Sequence, residues 1–173
     1  GVKATVITVE DIYSTYTGRN NQLKIKKAIK HHYDTSGSQL QYVLLGGDKN
    51  IVPVQNCYNE LVIFNSITST LDTLHVNSSS DVFYACLADM EWDTNGNGRY
   101  AELEDSVNLT PLLCVTRMPS GNRNEASDMV NRIICYERNP DKIGWNYQML
   151  TCGVDKEFYH IVNDSLTSYT HDM

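Results

Sequence analysis

Two short apolar runs, each closed by residues that break a strand, constrain the fold most. Residues 41–45 (QYVLL) end in Gly46-Gly47-Asp48, and residues 112–116 (LLCVT) end in Arg117-Met118-Pro119. A continuous apolar run of this length, without polar alternation, reads as a strand covered on both faces. That is the mark of a parallel sheet. Parallel neighbours need long crossovers, usually helical, and the chain supplies them. Residues 20–34 (NNQLKIKKAIKHHYD) place Leu23, Ile25, Ala28, Ile29 and His32/Tyr33 near helical spacing, with a lysine-rich outer face. Residues 124–139 carry Met129, Val130, Ile133, Ile134 and Tyr136 on one side, and Pro140 follows their end.

The other segments fit the same alternation. Residues 5–9 (TVITV), 81–87 (DVFYACL) and 148–152 (QMLTC) read as further strands. Residues 156–169 set Phe158, Ile161, Val162, Leu166 and Tyr169 at helical spacing and read as a closing helix. Residues 57–80 alternate irregularly, are rich in Ser, Thr and Asn, and suggest a hairpin excursion. The expectation is one α/β domain over residues 1–173. It is a three-layer sandwich around a mostly parallel sheet, of Rossmann-like or caspase-like topology. Crossovers would be right-handed. Ligands of such sheets gather at the carboxyl ends of the strands. Gly46-Gly47-Asp48, Arg117 and Gly153-Val154-Asp155 all fall at such ends.

The sharpest local motif lies at residues 93–104, DTNGNGRYAELE, which match the twelve-residue calcium loop D-x-[DN]-x-[DN]-G-x5-E without a gap. Calcium takes about six to eight hard oxygen ligands on a tightly wound backbone. Asp93, Asn95 and Asn97 would give side-chain oxygens and Arg99 its carbonyl. Gly98 permits the sharp turn. Glu104 or Glu102 would complete the shell, with Asp105 also within reach. The plainer reading is a loop of Asn-Gly turns. An EF-hand is not expected, because that motif needs a helix on each side. Residues 81–87 read as a strand, and Pro111 stops any later helix. The loop is therefore expected to be an isolated, structural calcium site.

Composition narrows the class of partner. The 173 residues carry a formal charge of −7, which argues against a nucleic-acid or anionic-membrane surface. Hydrophobic content of 41% and charged content of 20% suit a globular protein, and no apolar run is long enough to span a bilayer. The five cysteines, Cys57, Cys86, Cys114, Cys135 and Cys152, show neither zinc nor CxxC spacing and read as buried thiols. Gly46-Gly47-Asp48 lacks the spacing of a dinucleotide fingerprint and the lysine of a P-loop. Asp81 and Arg117 flank strand ends and are expected to pair structurally. Cys152 and His160 are the nearest Cys/His couple, but a buried thiol and a surface histidine are the expected outcome.

In order and spacing, five segments resemble the catalytic region of gingipain-type cysteine peptidases. They are YVLLGGDKNIVP (42–53), SSDVFYACL (79–87), WDTNGNGRYAELED (92–105), LLCVTRMPS (112–120) and EASDMVNRIICYERNP (125–140). The chain departs from the family pattern at Thr116, where Gly is more usual, and at Leu112-Leu113-Cys114. The resemblance implies a caspase-like fold. It also implies a catalytic histidine in a Gly-His-Gly strand end and a cysteine nucleophile after a later strand. Neither occurs here: none of the five histidines is flanked by glycine. No catalytic residue is therefore assigned. The chain looks like the amino-terminal, non-nucleophilic subdomain of a secreted or surface endopeptidase, partnered by the rest of the catalytic region and by peptide or protein substrates. In arginine-specific members an acid at the start of the closing helix binds the basic side chain of the substrate. Asp155 holds the similar place, where an ordinary helix cap is the competing reading. The alternative for the whole chain is a calcium-stabilised, peptidase-like scaffold module without activity.

Overall fold

A computed structural model describes residues 4–37, 39–65, 69–138, 158–162 and 165–169. The chain divides into two compact units, Gly1–Ile133 and Ile134–Met173.

The first unit begins with α1, Val9–Thr15, capped by Thr8, whose hydroxyl accepts the Asp11 N–H at 3.2 Å. The strand expected at 5–9 is absent. Residues 4–8 have no regular structure, and Val6 is 92% exposed. A β-branched run with no neighbouring strand to pair with gains nothing from being extended. Helix α2, Asn21–Thr35, is capped by Asn20, whose Oδ1 accepts the Leu23 N–H at 2.8 Å. It buries Leu23, Ile25, Ala28 and Ile29, as its spacing predicts. Its outer face carries lysines, but Lys26 is completely buried.

Strand β1, Tyr42–Gly46, runs parallel to β4, Cys114–Met118, in the register Tyr42↔Cys114 to Gly46↔Met118. The core joins Ile12 of α1 and Ile25, Ala28 and Ile29 of α2 to Leu45, Val52, Phe83, Tyr84, Cys86, Leu87, Trp92 and Leu113. It covers one face of the pair. The other face is bare, with Tyr42 69% and Leu44 62% exposed. These strands are thus not buried on both sides among the described residues. Two of the thiols read as buried, Cys114 and Cys135, are exposed; Cys86 is buried and Cys57 half-buried.

Between these strands lies an antiparallel hairpin, β2 (Gln55–Asn65) with β3 (Thr70–Ser80), paired from Gln55↔Ser80 to Asn65↔Thr70. The expected strand at 81–87 is instead a one-turn helix, α3, Val82–Ala85. Its run from Phe83 to Leu87 is buried throughout. An apolar stretch buried on every side shows no period, so length and spacing cannot tell strand from helix there. A 3-10 turn, Leu103–Asp105, follows the 93–102 loop. Helix α4, Arg123–Arg138, begins in the first unit; its apolar residues Val130, Ile133, Ile134 and Tyr136 are exposed.

In the second unit Phe158–Val162 (β5) pairs antiparallel with Ser165–Tyr169 (β6), from Phe158↔Tyr169 to Val162↔Ser165. This overturns the closing helix expected at 156–169. Phe158, Tyr159, Ile161, Val162, Thr167 and Tyr169 are aromatic or β-branched, types that favour strands. Asn163 and Asp164 between them are turn-forming residue types. The strand expected at 148–152 and Asp155 lie outside the described residues. Among the described residues the architecture is mixed α/β, with one parallel pair and two antiparallel ones.

Candidate functional site

At the carboxyl end of the parallel pair, Arg117 projects from β4 and organises three segments. Its Nε and Nη2 donate to Asp81 Oδ2 and Oδ1 at 2.7 and 2.6 Å. Its Nη1 donates to the carbonyls of Gly47, Asp48 and Val52 at 2.8, 3.2 and 2.7 Å. Its hydrogen bonds to the Asp81 carboxylate, then the Asp81 charge, hold the guanidinium pKa above its ordinary value. The loop after β1 can close on Arg117 because Gly47 adopts φ +145°, where a Cβ would sit 2.8 Å from Ile51. Asp48 accepts the N–H groups of Asn50 and Ile51 at 2.9 and 3.2 Å, and the Asn50 bond is the largest cause of its lowered pKa. The Tyr84 hydroxyl donates to the Pro53 carbonyl. The expected Asp81–Arg117 pair is therefore present.

The 93–105 loop is arranged differently. Trp92 is buried at its entrance, and the Ala101 N–H donates to the Trp92 carbonyl at 2.6 Å, closing the loop on itself. Gly96 and Gly98 have positive φ, so Gly98 makes the sharp turn its place in the motif requires. Asp93 is 6% exposed. Its Oδ2 accepts the Gly98 N–H at 3.2 Å and an Arg19 N–H at 3.0 Å. Its Oδ1 is buried with no hydrogen-bond partner. Asn95 Oδ1 accepts the Asn97 N–H at 3.0 Å, and Asn97 Oδ1 accepts the Arg99 N–H at 2.8 Å. Both amide groups donate to Glu102 Oε1, that of Asn95 at 2.7 Å.

Four of the candidate ligands, Asp93, Asn95, Asn97 and Glu102, thus meet in the loop. Glu104 is exposed and makes no polar contact with them. Glu102 is buried, and it forms a capping box with Asp105 across the 3-10 turn: the Glu102 N–H donates to Asp105 Oδ2 at 3.2 Å. Asp105 Oδ1 also accepts the Thr94 N–H at 2.6 Å, which commits that acid to the loop's own backbone. The flanking segments are not the helix pair of an EF-hand: residues 88–92 are irregular and only the 3-10 turn follows.

The donor set fits a hard cation. A carboxylate oxygen buried without a partner is costly, and a cation would relieve it. Each Asn Oδ1 uses one lone pair on a backbone N–H and keeps a second. Among the described residues no group of three or more His, Cys, Asp or Glu converges. The two acids here, Asp93 and Glu102, lie with the neutral amide groups of Asn95 and Asn97.

Sequence reading missed two residues beside the loop. Arg19, before α2, bridges Glu91 and Asp93 at 3.0 Å each and lies over the Tyr100 ring, 4.9 Å from its centroid. No local pattern links it to residues more than seventy positions away. Lys26 donates from Nζ to the Asp89 carbonyl at 2.6 Å, and lies 4.1 Å from the Phe83 centroid and 4.9 Å from that of Trp92. Burial pulls its pKa down to about 8. It lies three residues from both Leu23 and Ile29, on the apolar side of α2, so helical spacing carried a signal of its burial that its charge masked. His160, read as helical, lies in β5.

The model of peptidase family C25, the gingipain family of cysteine peptidases, matches residues 1–172, and the chain belongs to that family. No curated protein and no solved structure matches the chain.

Proposed function

We propose that this chain is the amino-terminal, non-nucleophilic subdomain of a gingipain-like cysteine endopeptidase of caspase-like, three-layer fold. It supports the catalytic region and one side of the substrate cleft. The family match over residues 1–172, on a sequence without a glycine-flanked histidine, carries this reading. The bare apolar face at Tyr42 and Leu44 supports it, because a two-stranded parallel sheet open to water is normally covered. The remainder of the catalytic region is the partner proposed for that face. Peptides or proteins are the substrates, and nucleic acid is not. No described helix is long and apolar enough to cross a membrane. Incubated with Arg-, Lys- and mixed-sequence peptide libraries, the 173-residue chain should show no turnover above buffer. Turnover abolished by Cys152→Ala would overturn the reading.

Calcium is the proposed cofactor of the 93–105 loop, held by Asp93, Asn95, Asn97 and the Arg99 carbonyl, with Glu102 favoured over Glu104 as the closing acid. The unpartnered Asp93 Oδ1 is the supporting observation. The ion's role is structural: it neutralises two buried carboxylates and fixes the loop. Neutral amide ligands suit a setting where calcium is plentiful, which accords with a secreted or surface location.

Asp155 is the proposed contact for a basic substrate side chain, through a bidentate carboxylate–guanidinium pair. In the active full-length peptidase, Asp155→Asn should lower kcat/KM for Arg substrates and spare neutral ones. An unchanged preference among Arg, Lys and neutral substrates would remove Asp155 from the substrate site.

A further inference from the structure

The loop and the hairpin share a seam. The Tyr58 N–H of β2 donates to the Tyr100 carbonyl at 2.8 Å. The Arg99 guanidinium lies 4.9 Å from the Tyr58 ring centroid, and its Nη1 lies 3.9 Å from Glu102 Oε2. Tyr58 stacks on His75 of β3, centroids 5.5 Å apart at 22°, and its hydroxyl donates to Glu60 Oε1 at 2.9 Å. Arg99 therefore touches a proposed calcium ligand on one side and the paired strands on the other.

Beyond this seam the hairpin exposes an apolar stretch. Val62 is 63% exposed, Leu71 64% and Leu74 49%. A two-stranded ribbon with little packed against it is marginally stable in water. Its order then depends on how firmly its base is held.

We propose that a cation in the 93–102 loop tightens the base of the β2–β3 hairpin, with Arg99 and Tyr58 as the link. This rests on the calcium reading of the loop. Two effects act in the same direction. A dication on Glu102 replaces Arg99 as its counter-charge, and like-charge repulsion drives the guanidinium toward the Tyr58 face and Glu60. Ligation through the Arg99 carbonyl also fixes the backbone that presents the Tyr100 carbonyl to Tyr58. The cation selects the tightened state by binding it better than the loose one. Calcium level would then decide whether the apolar ribbon is held in one orientation or fluctuates.

Hydrogen exchange at fixed pH, with calcium or with chelator, tests the link. Saturating calcium should slow exchange several-fold at the Tyr58 amide and across 55–65 and 70–80. Tyr58→Leu lies outside the ligand set; it should still bind calcium by calorimetry and lose most of the slowing. Arg99→Gln, read at saturating calcium, should lose it too. Circular dichroism identifies a variant that fails to fold, and the other then decides. If calcium binds the unaltered chain and the hairpin exchange does not change, the link is overturned and the calcium site stands. Full slowing in a folded Tyr58→Leu or Arg99→Gln has the same meaning. No binding heat in the unaltered chain overturns both.

Discussion

Arg117 meets Asp81 through two parallel hydrogen bonds, whereas Arg19 meets Asp93 through one. At the strand-end hub both Asp81 oxygens are used, and the third nitrogen of Arg117 reaches three carbonyls. Arg117 is 13% exposed and Asp81 27%. Beside the loop, Arg19 is 37% exposed and divides itself between Glu91 and Asp93. Asp93 is the more buried acid, yet it keeps one oxygen without a partner. The same two side-chain types are closed in one place and left open in the other. A saturated polar network locks backbone segments together. A buried carboxylate oxygen with no partner is a cost that folding does not recover by itself, and it marks where an outside group can bind.

Breaking the closed pair should have the largest effect. Removing one partner of a buried ion pair typically costs about 3–5 kcal/mol, and Arg117→Ala also strips the 47–52 loop of its donors. The expected loss in urea unfolding lies toward that range, and Asp81→Ala combined with Arg117→Ala should recover part of it. Additive single effects in the cycle would show that the pair is not coupled.

The open pair should respond to ligand instead. If calcium binds only the folded state, saturation near a hundredfold above Kd adds about 2.7 kcal/mol of stability. Differential scanning calorimetry of chelated protein, with and without calcium, should show the rise in Tm. Asp93→Ala should abolish the calcium increment, and Glu102→Gln should reduce it while Glu104→Gln leaves it intact. Equal responses in the chelated parent and Asp93→Ala would erase the contrast between the two sites.

Lys26 sharpens the contrast with a smaller effect. It is a buried charge with one carbonyl acceptor and two aromatic rings, intermediate between the multiply bonded Arg117 and the half-used Asp93. Its folded pKa of about 8 lies below the ordinary 10.5. The unfolded chain therefore binds more protons in that window, and stability rises with pH there. The contribution is complete above the unfolded value and is lost as pH falls through about 8. Burial raises the pKa of Cys57 and Cys86, which acts in the opposite sense at high pH. The readout is therefore the stability difference between parent and Lys26→Met across pH 7 to 10, about the range in which an ordinary Lys and a depressed one differ. The parent should gain on the variant as pH rises. A flat difference would mean that Lys26 keeps its ordinary pKa.

Where side chains follow a simple period or a local rule, the sequence was sufficient. The Asn20 cap and the apolar stripe of α2, the existence of the two parallel strands, and the wound loop at 93–105 could each be read from residues close together, although β4 begins at Cys114 and runs through Arg117 and Met118, which the sequence reading places at its end. The Asp81–Arg117 pair followed from charges placed at strand ends. The errors lie where burial or pairing, not period, sets the conformation. Residues 83–87 are buried throughout, and the 81–87 run became a helical turn. Residues 5–9 found no strand to pair with. Residues 156–169 carried a helical spacing but β-favouring side chains, and strand pairing prevailed. Only the tertiary structure could bring Arg19 to Asp93, set Lys26 against Phe83 and Trp92, and turn Glu102 rather than Glu104 into the loop. Each depends on which groups lose water when distant segments pack, and one-dimensional spacing does not record that loss.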